Sequence, residues 1–281
     1  MRRFINLFLK IEATICSIIE SIFYKSFLIV LRKSSWIVLT TKKNYLKKAV
    51  LMRRFRGFPI LEFLTQFDLD DFEWSRFVSK CKDEKLTFHV NHVSENLEHR
   101  MSGKTSNQTT KIIRERTTKE LEVFNQDPKS ISLSKKHKKA LEIISIRPND
   151  FGLIFEDDAV FPIFSMFRLE KSLYHAPADW DVIMLAPCFS LKPSVCAGDE
   201  EFRSGFWKIK NHGSRSLCGY AVKKNAAKLI YENWNDFSMP PDFEMNFIMS
   251  SLNLNIYWLE PPLIIHGSEN WRHQSEWVRG S

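Results

Sequence analysis

The stretch Phe151-Gly152-Leu153-Ile154-Phe155 is a continuous apolar run that passes directly into Glu156-Asp157-Asp158. An uninterrupted apolar run of this kind reads as a strand buried on both faces, in the middle of an α/β sheet. Three acidic residues at its carboxyl end contribute nothing to packing and put charge where such sheets bind ligands. Along a strand, side chains two apart share a face, so Glu156 and Asp158 are expected to point together while Asp157 points away. Two carboxylates on one side repel unless a cation lies between them. Hard oxygen donors suit Mg²⁺ or Mn²⁺, which keep waters and bind substrate phosphates. The competing reading is an acidic loop that caps the next helix.

The rest of the chain alternates in a compatible way. Residues 36–40 and 182–185 read as short buried strands, and 217–222 as a third, followed by a helix over 225–233. A helix over 45–56 ends at Gly57, another is expected around 72–81, and 134–144 reads as a helix capped by Ser134 and broken at Pro148-Asn149-Asp150. Residues 91–118 are poor in large apolar side chains and read as a long loop. Strands alternating with helices predict an α/β fold with a mostly parallel central sheet from about residue 36 to 281, after a separate segment 1–35.

Charge separates those two parts. Of a net +8 over 281 residues, positions 1–56 hold 13 Lys and Arg against Glu12 and Glu20, which is +11 and leaves −3 for 57–281. A nucleic-acid-binding body is therefore not expected. Within the N-terminal segment Asn6, Lys10, Thr14, Ser17, Ser21 and Lys25 recur every three or four positions, one narrow polar stripe on a helix whose remaining circumference is apolar. Lys10, Glu12, Glu20 and Lys25 interrupt it too often for a spanning helix. It reads either as a helix lying on an anionic membrane surface, with the basic residues of 1–56 at the headgroups, or as one packed on protein. Five cysteines, odd in number and without a C-x-x-C pair, argue against a disulfide framework. With no cleavable signal apparent, they suggest a cytoplasmic protein, peripheral on a membrane face.

Several pieces together resemble glycosyltransferase family 25, which contains the lipooligosaccharide and collagen galactosyltransferases. Leu153-Ile154-Phe155-Glu156-Asp157-Asp158-Ala159 is similar to its acidic strand end, and Ala178-Asp179-Trp180-Asp181-Val182-Ile183-Met184-Leu185 to its "dWDiiyL" strand. Cys218-Gly219-Tyr220-Ala221-Val222 with Asn225-Ala226-Ala227-Lys228-Leu229-Ile230 resembles its next strand and helix, Pro241-Asp242 its "P-x-D" turn, and Glu260-Pro261-Pro262-Leu263-Ile264-Ile265-His266-Gly267-Ser268-Glu269 its closing segment. The likeness runs over about residues 130–269 and more loosely over 36–80. It departs from the family where "GC-lSH" is replaced by residues 131–137, and where the paired arginines after the first strand are replaced by Leu39-Thr40-Thr41-Lys42-Lys43.

The resemblance implies a GT-A fold and an inverting transfer of a hexose, commonly galactose from a UDP donor, to a glycan or lipid-linked acceptor. The chemistry it calls for is Mn²⁺ or Mg²⁺ held by Asp158, with Glu156 contributing directly or through water and His266 completing the coordination or touching the diphosphate; the plain alternative for His266 is a solvated loop histidine. Asp157 is expected at the ribose or bracing the loop. Gly267 and Ser268 are expected to let backbone approach phosphate oxygens. Asp242 is the candidate base that takes the acceptor hydroxyl's proton, with helix N-capping as its competing role. Asp181 is the reserve base. Tyr220 and Trp180 read as core aromatics, and Trp271 and Trp277 as lid or sugar-stacking residues or a packed tail. A catalytically silent relative that binds nucleotide sugar or glycan at a membrane is the alternative function.

Overall fold

A computed structural model describes Ile11, Thr14, Ile15, Ile18 and Leu51, together with residues 30–40, 61–64, 128–162, 164–187, 200–203, 205–209, 216–234 and 240–267. The readings of 72–81, of 91–118 and of Ser268, Trp271 and Trp277 lie outside them, as does that of 45–56 except for helical Leu51.

A mixed sheet of eight strands forms the body: β1 (Ser34–Leu39), β2 (Leu61–Leu64), β3 (Phe151–Glu156), β5 (Val182–Met184), β6 (Glu200–Arg203), β7 (Phe206–Lys208), β8 (Gly219–Lys223) and β9 (Ile256–Leu259). A separate pair, β4 (Ala159–Val160) and β10 (Ile265–His266), adjoins the end of β3. Among the described residues the helices that pack on this sheet are α1 (Pro128–Ile146), α2 (Ser165–Tyr174), α3 (Lys224–Asn233) and α4 (Pro241–Ser251). Spatial order is β2-β1-β3-β8-β5-β9-β7-β6.

The expectation of a mostly parallel sheet is corrected. β1 runs parallel to β2 and β3, and β5 to β9, but β8 is antiparallel to both β3 and β5, and β7 is antiparallel to β9 and β6. Alternation of strands and helices in sequence reports burial, and burial on two faces is blind to strand direction. β8 is as apolar as a central parallel strand because both of its faces are covered.

Two-residue alternation sorts each strand between two cores. Ile37, Leu39, Ile154, Val182, Met184, Tyr220, Val222, Ile256 and Trp258 face Ala140, Leu141 and Ile144 of α1, Ala226, Ala227 and Ile230 of α3, and Met245, Ile248 and Met249 of α4. Trp36, Val38, Leu153, Phe155, Ile183, Ala221, Tyr257 and Leu259 face Met166, Leu169 and Leu173 of α2. Each fully buried Ile, Leu or Phe contributes about 1.5–3 kcal/mol through water exclusion, which is why the sheet sits between layers.

Helix α1 begins at Pro128, not at Ser134, and Ser134 is buried mid-helix with no hydrogen-bond partner for its hydroxyl. Proline suits a first helical turn, where its missing N–H is not needed. α4 likewise opens at Pro241 after an N-cap at Pro240, so Asp242 lies in the first turn and is not the cap.

Candidate functional site

Strand direction decides which residues meet. β3 and β8 are antiparallel with Phe155 opposite Gly219, so the carboxyl ends of β1 and β3 share one sheet edge with the amino end of β8. The Glu156 N–H donates to the Cys218 carbonyl at 2.9 Å, which locks residue 218 beside the acidic tripeptide. β10 pairs antiparallel with β4, with His266 opposite Ala159. Upstream, the Leu185 carbonyl accepts from the N–H groups of Leu263 and Ile264 at 3.0 and 3.2 Å, holding that segment over the same edge.

The three acidic side chains go to three different places. Asp157 Oδ2 accepts from Thr40 Oγ1 at 2.7 Å, at the end of β1, and the Thr40 carbonyl accepts from buried Lys136 Nζ at 2.7 Å. Asp158 Oδ1 accepts from the Cys218 thiol at 3.5 Å, and Asp158 Oδ2 lies 3.4 Å from His266 Nδ1. Glu156 Oε1 lies 3.4 Å from His137 Nε2 on α1. The expectation that Glu156 and Asp158 share a face is therefore corrected: β3 ends at Glu156 and a turn begins at Asp157, so strand alternation stops before it reaches Asp158.

His137 is fully buried, stacked on Tyr220 with its Nδ1 3.1 Å from the Tyr220 hydroxyl. Burial lowers its pKa to about 3, against a smaller opposing pull from the Asp242 carboxylate, so the ring is neutral at physiological pH. A carboxylate only accepts, so Nε2 carries the hydrogen toward Glu156 and the Tyr220 hydroxyl donates to Nδ1. Burial, and then the charge of Glu156, push the Tyr220 phenol well above its ordinary range and keep that donor protonated.

On the other side Asp158, Cys218 and His266 bring a carboxylate oxygen, a sulfur and an imidazole nitrogen within 4.8 Å of one another. Burial pushes the Cys218 thiol well above its ordinary range, and Asp158, Glu156 and Asp157 add to the effect in that order of charge contribution. All three carboxylates thus bear on one sulfur. Asp158 and His266 carry donor atoms that suit a divalent cation, and Glu156, whose Oε1 lies 3.4 Å from His137 Nε2, also acts by its charge on Cys218 in the same cluster.

Glycines allow this approach. A Cβ at Gly267 would stand 2.5 Å from the Asp158 carbonyl oxygen, and one at Gly219 would run into Ile264 Cδ1. Gly267 thus has a packing reason for its identity in addition to the phosphate contact expected of it.

Asp181 is not part of the assembly. It precedes β5 and sits at the opposite sheet edge, where Lys223 pairs with Phe151; its Oδ2 accepts from the Asn255 N–H at 2.8 Å and its carbonyl from the Lys223 N–H at 3.0 Å. The six residues of β3 put about 17 Å between those edges. Asp242 lies close enough for its charge to act on His137, and its Oδ1 accepts from the Phe243 N–H at 3.1 Å. Trp180 is buried edge-on against Phe151, and Tyr220 is fully buried, as read from sequence.

His137 and Cys218 were not singled out by the sequence. Lys135-Lys136-His137-Lys138-Lys139 has the look of a solvated charge run, yet Ser134, His137, Leu141 and Ile144 recur at steps of three and four on one buried helix face. That spacing was the available signal. No protein-family model matches the chain, and none of the curated proteins matches it.

Proposed function

We propose that the chain is a GT-A-type glycosyltransferase that moves a hexose, with galactose from UDP-galactose the leading donor, onto a glycan or lipid-linked acceptor with inversion. The observation that carries the reading is the meeting of Asp158 and His266 at the carboxyl edge of β3, beside Asp157 and Thr40 at the end of β1. A departing nucleoside diphosphate needs its developing negative charge neutralised, and a divalent cation held by Asp158 and His266 supplies that Lewis acidity when bound. Asp157, fixed by Thr40, braces the loop against the nucleoside. Asp242, at the start of α4, takes the proton of the acceptor hydroxyl as its oxygen bonds to the anomeric carbon and the bond to the diphosphate breaks. Glu156 serves through His137, orienting the turn rather than holding the ion.

A screen of nucleotide sugars with Mn²⁺, scored for nucleotide release in the presence of an acceptor extract, tests this. Release that falls sharply in Asp158→Asn supports it; release that is undiminished removes the cation role, and no release with any donor leaves the binding relative. The commitment of Glu156 to His137 is the feature that favours that second reading.

Membrane association belongs to the same proposal. Ile11, Ile15 and Ile18 are helical, spaced on one face and 47, 49 and 52% exposed, in a segment whose 1–56 span carries +11. Among the described residues no helix is long and apolar enough to cross a membrane. Cosedimentation with anionic vesicles and loss of it in Ile11→Asp/Ile15→Asp is the expected outcome.

A further inference from the structure

We propose that Asp158, Cys218 and His266 form a three-ligand site for a zinc-class divalent cation, with the Cys218 sulfur as a direct ligand and a fourth position open. It goes further into the cation position of the proposed transfer, whose Asp158 and His266 it shares, and it is argued from the three side chains alone. The three come from separate elements, the turn after β3, the residue ahead of β8, and β10 itself, and they converge to within 4.8 Å. Around a tetrahedral zinc, oxygen and nitrogen ligands at about 2.0 Å and sulfur at about 2.3 Å stand roughly 3.3 Å (O to N) and 3.5 Å (O to S) apart. The observed separations are 3.4 Å from Asp158 Oδ2 to His266 Nδ1 and 3.5 Å from the other oxygen, Oδ1, to Cys218 Sγ, so a small rotation of the carboxylate brings one oxygen toward both.

Donor chemistry selects the class of ion. Manganese and magnesium prefer oxygen ligands and gain little from sulfur, whereas thiolate, imidazole and carboxylate together suit zinc and its spectroscopic stand-in cobalt. On binding, the ion takes the place of the thiol proton, which leaves to solvent, so one carboxylate and one thiolate balance two positive charges while the imidazole stays neutral. Three protein ligands leave room for a water or a phosphate oxygen, the pattern of an open rather than a structural site. Gly267 removes the side chain that would hold the end of β10 away from Asp158.

The test uses the full chain, stripped with chelator and titrated with Zn²⁺, Mn²⁺ and Co²⁺. The expected result is Zn²⁺ bound more tightly than Mn²⁺, a sulfur-to-cobalt charge-transfer band that disappears in Cys218→Ser, and at least about 100-fold weaker Zn²⁺ binding in that variant and in His266→Ala. A charge-transfer band that survives in folded Cys218→Ser, unchanged Zn²⁺ affinity in that variant, or a preference for Mn²⁺ overturns the proposal. The wild-type cobalt spectrum needs no variant, and its lack of the band is equally fatal. Metal binding without nucleotide release counts against the transferase reading alone.

Discussion

At the end of β3 two histidines each stand 3.4 Å from a carboxylate oxygen, under opposite conditions. His137 is sealed between α1, which carries it, and the sheet, its two nitrogens facing Tyr220 and Glu156, and burial holds it neutral. His266 is on a two-stranded edge, its side chain 18% exposed, and it faces a carboxylate that is already shared with a thiol. The same pair of residue types therefore makes a closed strut on one side of the sheet and an open donor set on the other. What separates them is burial: the His137 side chain is fully buried, whereas that of His266 keeps 18% of its surface in reach of solvent and of a ligand.

That contrast can be broken from either side. The largest effect is expected in Asp158→Asn, which removes charge from the open side: nucleotide release should fall by at least about 100-fold while circular dichroism stays native. His137→Ala strikes the closed side. It strands the Tyr220 hydroxyl and Glu156 and leaves a cavity, so urea unfolding should show a loss of about 2–4 kcal/mol. Gly267→Ala drives a methyl group into the Asp158 carbonyl and should cost about 1–3 kcal/mol in the same measurement, with weaker ion binding as β10 moves away.

The closed side also makes a pH prediction. The unfolded His137 takes up a proton near 6.5 and the folded one only near 3, so the folded state binds fewer protons across that window. Stability from this residue is complete above 6.5 and declines as pH falls toward 3, by up to about 1.4 kcal/mol for each unit. His137→Gln should flatten that slope in acid unfolding curves. The smallest effect is expected of Asp181→Asn, at the far edge: about 1 kcal/mol of stability from a weakened contact to Asn255, with nucleotide release unchanged.

Much of the body was legible in the sequence because apolar runs report burial. β1, β3, β5, β8 and α3 follow from it, with ends displaced by a residue or two. Strand direction was not legible: β8 has the same composition whichever way it runs. Short elements such as β2, β4, β7 and β9, and the amphipathic α2, escaped because they are too brief or too mixed to carry a period alone. Of the candidate site, the acidic tripeptide and His266 were visible as charge beside buried runs. Cys218 was hidden, since a lone cysteine looks like any small apolar residue until β8 is known to start beside Asp158. Glu156 and Asp158 were read as sharing a face because strand alternation was carried two residues past the end of β3 at Glu156.

The reversed course of β8 has a consequence for how such a cluster can be assembled. In a sheet of one direction, a rim receives only chain that is departing from strands. Here the rim also receives chain that is arriving, so a sulfur 60 positions downstream is delivered to the aspartate from the opposite heading. Two stretches distant in sequence thereby meet at one rim, and the Glu156 N–H to Cys218 carbonyl bond ties the position of one to that of the other.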